Sequence, residues 1–237
     1  MLIGPQNLPE NIERVRDRIT RAAAQCGRSV DSVTLIAVSK SQPATAIAAA
    51  SRAGVKHFGE SYLKEALEKM SAVKERDITW HFIGTIQANK TRAVAENFAW
   101  VHSVDRLRIA ERLSAQRPYH APPLNVCVQV NVGGELSKGG AAPEDLADLF
   151  ASMGKLPRLK LRGLMCLPPE EDEPERQRHW FAQLRERFDD LNRDGAGLDT
   201  LSMGMSGDFE AAVLEGATMV RVGTAIFGPR TNTMRSA

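Results

Sequence analysis

An amine, a guanidinium and two short runs of hydroxyl and glycine residues are the groups in this chain best suited to chemistry. They lie far apart in the sequence. Lys40 closes the run Val33-Thr34-Leu35-Ile36-Ala37-Val38-Ser39-Lys40. The run is apolar and β-branched and reads as a buried strand. An amine at the C-terminal end of such a strand faces the region where α/β proteins build their sites. Partial burial lowers an amine's proton affinity and makes it a nucleophile toward an aldehyde. A lysine that only ends a strand and snorkels to water is the alternative.

The other groups come late, in Ser202-Met203-Gly204-Met205-Ser206-Gly207-Asp208 and in Arg221-Val222-Gly223-Thr224. Ser206-Gly207-Asp208 opens a helical pattern near 208–215. Free backbone N–H groups and the helix dipole at such a start favour an anion. Gly207 lets the backbone approach closely, and the Ser206 hydroxyl can donate to phosphate. Gly223 and Thr224 offer the same chemistry from the next loop. A plain capping motif is the alternative. Arg221 interrupts an apolar strand and needs a partner there. The partner is either a structural ion pair or a heteroaromatic nitrogen of a ligand. Guanidinium would hold that nitrogen unprotonated, because it does not give up its proton.

The elements that must position these groups follow from periodicity. Ile12, Val15, Ile19, Ala22, Ala23 and Cys26 recur at helical spacing, and Gly27 stops the helix. Strand-type runs then lie at 33–39, 55–58, 79–83, 99–103, 124–131, 160–166, 199–202 and 218–222. Helical patterns near 43–53, 61–74, 87–97, 105–117, 143–153, 174–193 and 208–215 separate them. Alternating β and α implies a parallel sheet with crossover helices. Eight such units predict a single (β/α)8 barrel domain over 1–237, with the first helix as an extra element. A doubly wound open sheet is disfavoured, since no G-x-G-x-x-G turn follows the first strand. In a barrel every strand C-terminus meets on one face, and phosphates bind after strands seven and eight. Amine, anion cradle and arginine would converge there. Together they suggest pyridoxal 5′-phosphate (PLP), held as a Schiff base on Lys40.

Composition narrows the setting. The chain has 237 residues and a formal charge of +2, which gives no electrostatic case for nucleic acid or a membrane surface. Cys26, Cys127 and Cys166 form no CxxC pair and point to a reducing compartment. Met1-Leu2-Ile3-Gly4-Pro5 lacks the basic flank and apolar core of a signal peptide, so a cytoplasmic protein is expected. His57, His81, His102, His120 and His179 lack H-x-x-x-H spacing, and no metal site is expected. His57, His81 and His102 are read as hydrogen-bonded core residues. The acidic run Pro168–Glu175 reads as a solvated loop leading into a helix N-terminus.

Several ordered motifs resemble one family. Val38-Ser39-Lys40, Phe58-Gly59-Glu60, His81-Phe82-Ile83-Gly84 with Gln87 and Asn89-Lys90, Ser202-Met203-Gly204-Met205-Ser206, and Val220-Arg221-Val222-Gly223-Thr224 with Ile226-Phe227-Gly228 are similar to the pyridoxal phosphate homeostasis proteins. The similarity runs from about Thr34 to Arg230. That family in turn resembles the barrel domain of fold-type III PLP enzymes such as alanine racemase. The resemblance implies that Lys40 carries the Schiff base, that Ser206, Gly223 and Thr224 hold the phosphate, that Arg221 faces the pyridine nitrogen and that Met203 lies near the ring. It implies a role in binding and delivering PLP and limiting its free level, rather than overt catalysis. Transient contact with PLP-requiring apoenzymes is the implied partnership. The family usually carries Asn after Phe-Gly-Glu, where this chain has Ser61. Lys138 also sits in a family-like motif, Glu135-Leu136-Ser137-Lys138-Gly139. It is either a second amine for PLP transfer or a solvated loop lysine.

The alternative function is a PLP-dependent amino-acid racemase. Two-base racemisation needs a second proton donor across the cofactor. In racemases resembling this barrel, a tyrosine from a separate β-domain supplies it. About 15 residues follow strand eight here, so no C-terminal β-domain is expected. Without it the need for a dimer falls away, and a monomer is expected. Tyr62 and Tyr119 are the tyrosines available. An arginine at the pyridine nitrogen makes the ring a weaker electron sink, which disfavours transamination. A class I aldolase is a third reading, disfavoured because those lysines usually sit on a late strand.

Overall fold

Each apolar run becomes a strand in a computed structural model that describes residues 7–135 and 138–229. Met1–Pro5, Leu136, Ser137 and Arg230, which entered the sequence reading, lie outside the described residues. The strands are β1 (Thr34–Val38), β2 (His57–Glu60), β3 (Thr79–Phe82), β4 (Trp100–Val104), β5 (Leu124–Val130), β6 (Leu159–Cys166), β7 (Thr200–Ser202) and β8 (Met219–Val222). They pair in sequence order, all parallel, and β8 closes onto β1. This is the expected (β/α)8 barrel.

The helices lie outside the barrel: α1 (Leu8–Gln25), α2 (Ala44–Arg52), α3 (Leu63–Ala72), α4 (Thr91–Asn97), α5 (Leu107–Gln116), α6 (Leu146–Met153), α7 (Pro174–Arg193), α8 (Phe209–Leu214) and α9 (Thr224–Phe227). The extra helix α1 buries Leu8, Ile12, Val15, Ile19, Ala22 and Ala23, one stripe at helical spacing. It packs on α8 and α9. Asn11 Nδ2 donates to the Ile226 carbonyl at 2.9 Å, and Arg18 grips the Glu210 carboxylate with two N–H groups.

Two departures from the periodicity bear on the site. β2 runs over His57–Glu60 rather than 55–58. Gly54 adopts φ +83, and the Val55 N–H bonds back to the Ala50 carbonyl. Val55 therefore belongs to the C-terminal wrap of α2, where an apolar residue past the cap packs back on the helix. The strand starts later and carries Glu60 into the interior. The second departure is α9, too short for any periodic signal.

Side chains form two layers. Most buried apolar residues fill the space between barrel and helices, whereas Ile36, Trp100, Cys127, Met165 and Met219 form a separate cluster. These five come from different strands and fill the lumen. Near Trp100, Arg162 lies over the indole at 4.5 Å, is bound to Asp199 and donates to Asn125 Oδ1 at 2.8 Å.

Candidate functional site

Lys40 stands two residues beyond β1 and is half-buried. The backbone turns there: Ser41 takes φ 62, and the Gln42 N–H donates to the Ser39 carbonyl at 3.0 Å. A non-glycine residue at positive φ is held only where its surroundings over-determine it. Helix α3 provides that hold. Lys69 Nζ donates to the Ser39 carbonyl at 2.6 Å, and Glu65 Oε1 accepts the Ser41 N–H at 2.6 Å. Both peptide groups flanking Lys40 are thus tied to one helix face. Lys69 and Glu65 are themselves paired at 2.5 Å in the favourable i, i+4 order.

Beneath the turn, Glu60 Oε1 accepts from Ser39 Oγ at 2.6 Å and from Lys69 Nζ at 2.8 Å. Glu60 is fully buried. Burial pushes its pKa up, and Lys69 opposes that shift without cancelling it. Its second oxygen, Oε2, is buried with no hydrogen-bond partner among the described residues. Sequence reading singled out Ser39 and Glu60 but not Lys69 or Glu65. A signal existed: Lys69 falls three residues after Ala66, on the apolar face of its helix, where an unpaired lysine is not tolerated.

The loops after β7 and β8 meet as expected, but by different bonds. Ser206 does not cap α8. Its Oγ accepts the N–H of Gly223 at 3.2 Å and of Ala225 at 3.3 Å, at the start of α9. Asp208 Oδ1 accepts the Met205 N–H at 2.5 Å and closes the turn before α8. Gly204 is required at φ +92, since a Cβ there would lie 2.8 Å from Phe209 Cα. Gly207 is exposed and a Cβ would meet nothing within 4 Å, so the protein's own packing does not demand glycine there. Thr224 is exposed, and Met203 is fully buried in the layer between barrel and helices. A Cβ on Gly223 would come within 3.3 Å of the Val38 carbonyl, so the ends of β8 and β1 are in contact. Lys40 follows Val38 by two residues.

Arg221 pairs across the β1–β8 seam with Ile36, a lumen residue. It is 3% exposed, and burial lowers its pKa. No ion pair meets it among the described residues; carbonyls and a hydroxyl do. Nη1 donates to the Ser202 carbonyl at 2.5 Å and to Ser202 Oγ at 2.8 Å, and Nη2 donates to the Cys166 carbonyl at 2.8 Å. These bonds use three of the five guanidinium N–H groups. Of the two sequence readings of Arg221, the structural ion pair is therefore absent.

Other candidates come from outside β1, β8 and the loops that follow them. Lys138 Nζ donates to the Pro168 carbonyl at 2.6 Å and pairs with Glu135 at 3.2 Å, tying the loops after β5 and β6 together. Tyr62 is 57% exposed at the start of α3, and Tyr119 is 94% exposed. The Ser61 backbone packs against Gly84, where a Cβ would lie 2.2 Å from the Ser61 carbonyl oxygen.

The model of the alanine racemase N-terminal domain family matches residues 6–231. The pyridoxal phosphate homeostasis protein of Pseudomonas aeruginosa is 57% identical over 223 residues, covering 94% of this chain and 96% of that one. The structure of PipY from Synechococcus elongatus with PLP bound superposes with a TM-score of 0.78 at 38% identity, covering 90% of this chain and 100% of that chain. An alanine racemase of Clostridium difficile shares the fold at 16% identity, with a TM-score of 0.72 over 96% of this chain and 58% of that one.

Proposed function

This chain belongs to the pyridoxal phosphate homeostasis protein family, and from that premise we propose that it binds PLP and buffers or delivers it. The observation that carries the reading is Arg221. A buried cation that forms an ion pair with no carboxylate among the described residues, and whose hydrogen bonds there use three of five N–H groups, suits a neutral acceptor such as a pyridine nitrogen. It lies on the strand beside the one that Lys40 follows.

The residues present fit the cofactor. The half-buried Lys40 amine suits a covalent link to an aldehyde, and the clamp from α3 fixes its backbone. Ser206 and Gly223, already joined by a hydrogen bond, would hold the phosphate with Gly207 and Thr224. Open space at Gly207 leaves room for close approach. Met203 would back the ring from the packed layer. When bound, PLP supplies an aldehyde carbon conjugated to a pyridine ring. Arginine at the ring nitrogen keeps that nitrogen unprotonated, which favours storage over broad amino-acid chemistry. Release to PLP-requiring apoenzymes by transient contact, from a cytoplasmic monomer, completes the proposal.

The test is visible absorption of the purified protein with PLP, before and after borohydride, with peptide mapping. A band trapped onto Lys40 is the expected result. A protein that stays colourless with added PLP would reject the reading. Amino-acid turnover by the loaded protein would replace the carrier role with racemase chemistry.

A further inference from the structure

We infer that the barrel lumen carries a hydrogen-bond chain of fixed direction that orients Arg221, with Ser202 and His102 as its positioning residues and His57 at its outer end. For its consequence at the cofactor, the inference rests on the PLP reading above. For the chain itself it does not.

The links are continuous. His57 Nδ1 lies 2.9 Å from His81 Nε2, His81 Nδ1 lies 2.9 Å from His102 Nε2, and His102 Nδ1 lies 2.8 Å from Ser202 Oγ. Ser202 Oγ in turn accepts from Arg221 Nη1. The chain crosses β2, β3 and β4, then spans the lumen to β7 and β8. His81, His102 and Ser202 are fully buried. His57 is half-buried and lines a cleft of about 530 Å³ with Arg16, Thr20 and Lys56.

The direction follows from Arg221. A guanidinium only donates. Ser202 Oγ therefore accepts from Arg221, and its own hydrogen needs an acceptor in a site closed to water. His102 Nδ1 is the atom in place. That nitrogen then carries no hydrogen, so His102 bears its proton on Nε2 and donates to His81 Nδ1. By the same step His81 Nε2–H donates to His57 Nδ1, and His57 carries its hydrogen on Nε2. The reverse direction would make Ser202 Oγ accept twice and leave its hydrogen buried and unpaired.

The chain also excludes charge. A protonated His81 would direct an N–H at the N–H of His102. The surroundings agree. Arg221 faces His102, Lys56 faces His57, and His81 is flanked by the two other imidazoles and stacked on Trp100 at 5.6 Å. Cys127 and Cys166, the thiols nearest Arg221, are pushed up to about 12 by burial and stay neutral. Arg221 is then the cation at this end of the lumen, and the Asp208 carboxyl, raised by burial, acts on it electrostatically from the turn before α8. The position of Arg221 is set by the Cys166 carbonyl and by two oxygens of Ser202, one a carbonyl and one a hydroxyl whose lone pair is turned toward it by His102.

The experiment has two arms. Long-range 1H–15N spectra of ligand-free protein labelled at histidine nitrogen should show His81 and His102 protonated at Nε2, bare at Nδ1 and not titrating between pH 5 and 8. A hydrogen on His102 Nδ1, or ordinary titration of His81 or His102, would overturn the chain. Ser202→Ala, checked for folding by its melting curve, should release His102 from its single tautomer; an unchanged His102 signal overturns the link. In the second arm, His102→Asn keeps an acceptor for the Ser202 hydroxyl and His102→Leu does not. His102→Leu should shift the absorption of bound PLP and speed its release about tenfold, while His102→Asn stays within about twofold. Equal spectra and release rates in the two variants would remove the positioning role. Tautomers as stated in a protein that binds no PLP would leave the chain standing and reject the cofactor reading instead.

Discussion

Lys69 Nζ donates to the carbonyl of Ser39, the residue immediately before Lys40, at 2.6 Å. A second, buried lysine thus fixes the backbone of the candidate nucleophile. The same amine meets the Glu60 and Glu65 carboxylates, so the turn, the end of β2 and α3 are tied together. The arrangement fixes the backbone on both sides of Lys40.

Removing that amine should be costly. Lys69→Met leaves Glu60 buried without its cation and should destabilise the fold by about 3–5 kcal/mol, read by urea unfolding. Adding Glu60→Gln should recover a large part of the loss. Strictly additive effects of the two changes would show that the pair is not coupled.

Lys40→Ala should abolish any borohydride-trapped PLP adduct, while the bonds from α3 still hold the turn on either side of residue 40. Intact mass measurement decides. A reducible adduct persisting on another lysine would move the anchor away from Lys40.

Arg221→Ala should shift the absorption of bound PLP and raise its off-rate. Loss of a charge-assisted hydrogen bond is worth about 1.5–3 kcal/mol, or roughly tenfold or more in retention. The same change empties the Ser202 oxygens of their donor, so a lowered melting temperature should accompany it. An unchanged spectrum and off-rate would remove Arg221 from the cofactor site.

Acid sensitivity should come from the lumen. Burial, with Arg221 adding to it, pushes His102 down to about 3. A histidine depressed in the fold binds fewer protons folded than unfolded, so its stabilisation is full above its ordinary pKa of about 6.5 and is lost as pH falls below it. Glu60 and Asp208, both raised by burial, act in the opposite sense as pH rises through the carboxylate range. His102→Asn isolates the histidine. Between pH 6 and 4, parent stability should fall by about 1.4 kcal/mol per pH unit more steeply than that of the variant. Parallel curves in urea titrations across that window would contradict the buried neutral His102.

Gly84→Ala tests the contact between the loops after β2 and β3. The new Cβ would press on the Ser61 backbone, which has no flexible end to yield. A loss of about 1–3 kcal/mol is expected from overpacking. A neutral result in thermal melts would mean that the Ser61 loop shifts freely.

Much of this architecture was legible in the amino-acid order. Runs of β-branched residues alternating with helical stripes determined a parallel barrel, because burial on both faces of a strand and one face of a helix leaves a local pattern. The same order put Lys40 at a strand end and set Ser206, Arg221 and Gly223 on the last two turns of the barrel. It also marked Glu60 beyond a strand, although β2 begins two residues later than its apolar run, since Val55 is spent on wrapping the end of α2. What only the tertiary structure decided is non-local. Lys69 reaches Ser39 across thirty residues, and His102 meets Ser202 across one hundred. Such pairs depend on strand register and on the closing of β8 against β1, which shift every side chain together and leave no trace in local periodicity. Sequence therefore determined which groups the barrel carries, and closure decided which of them touch.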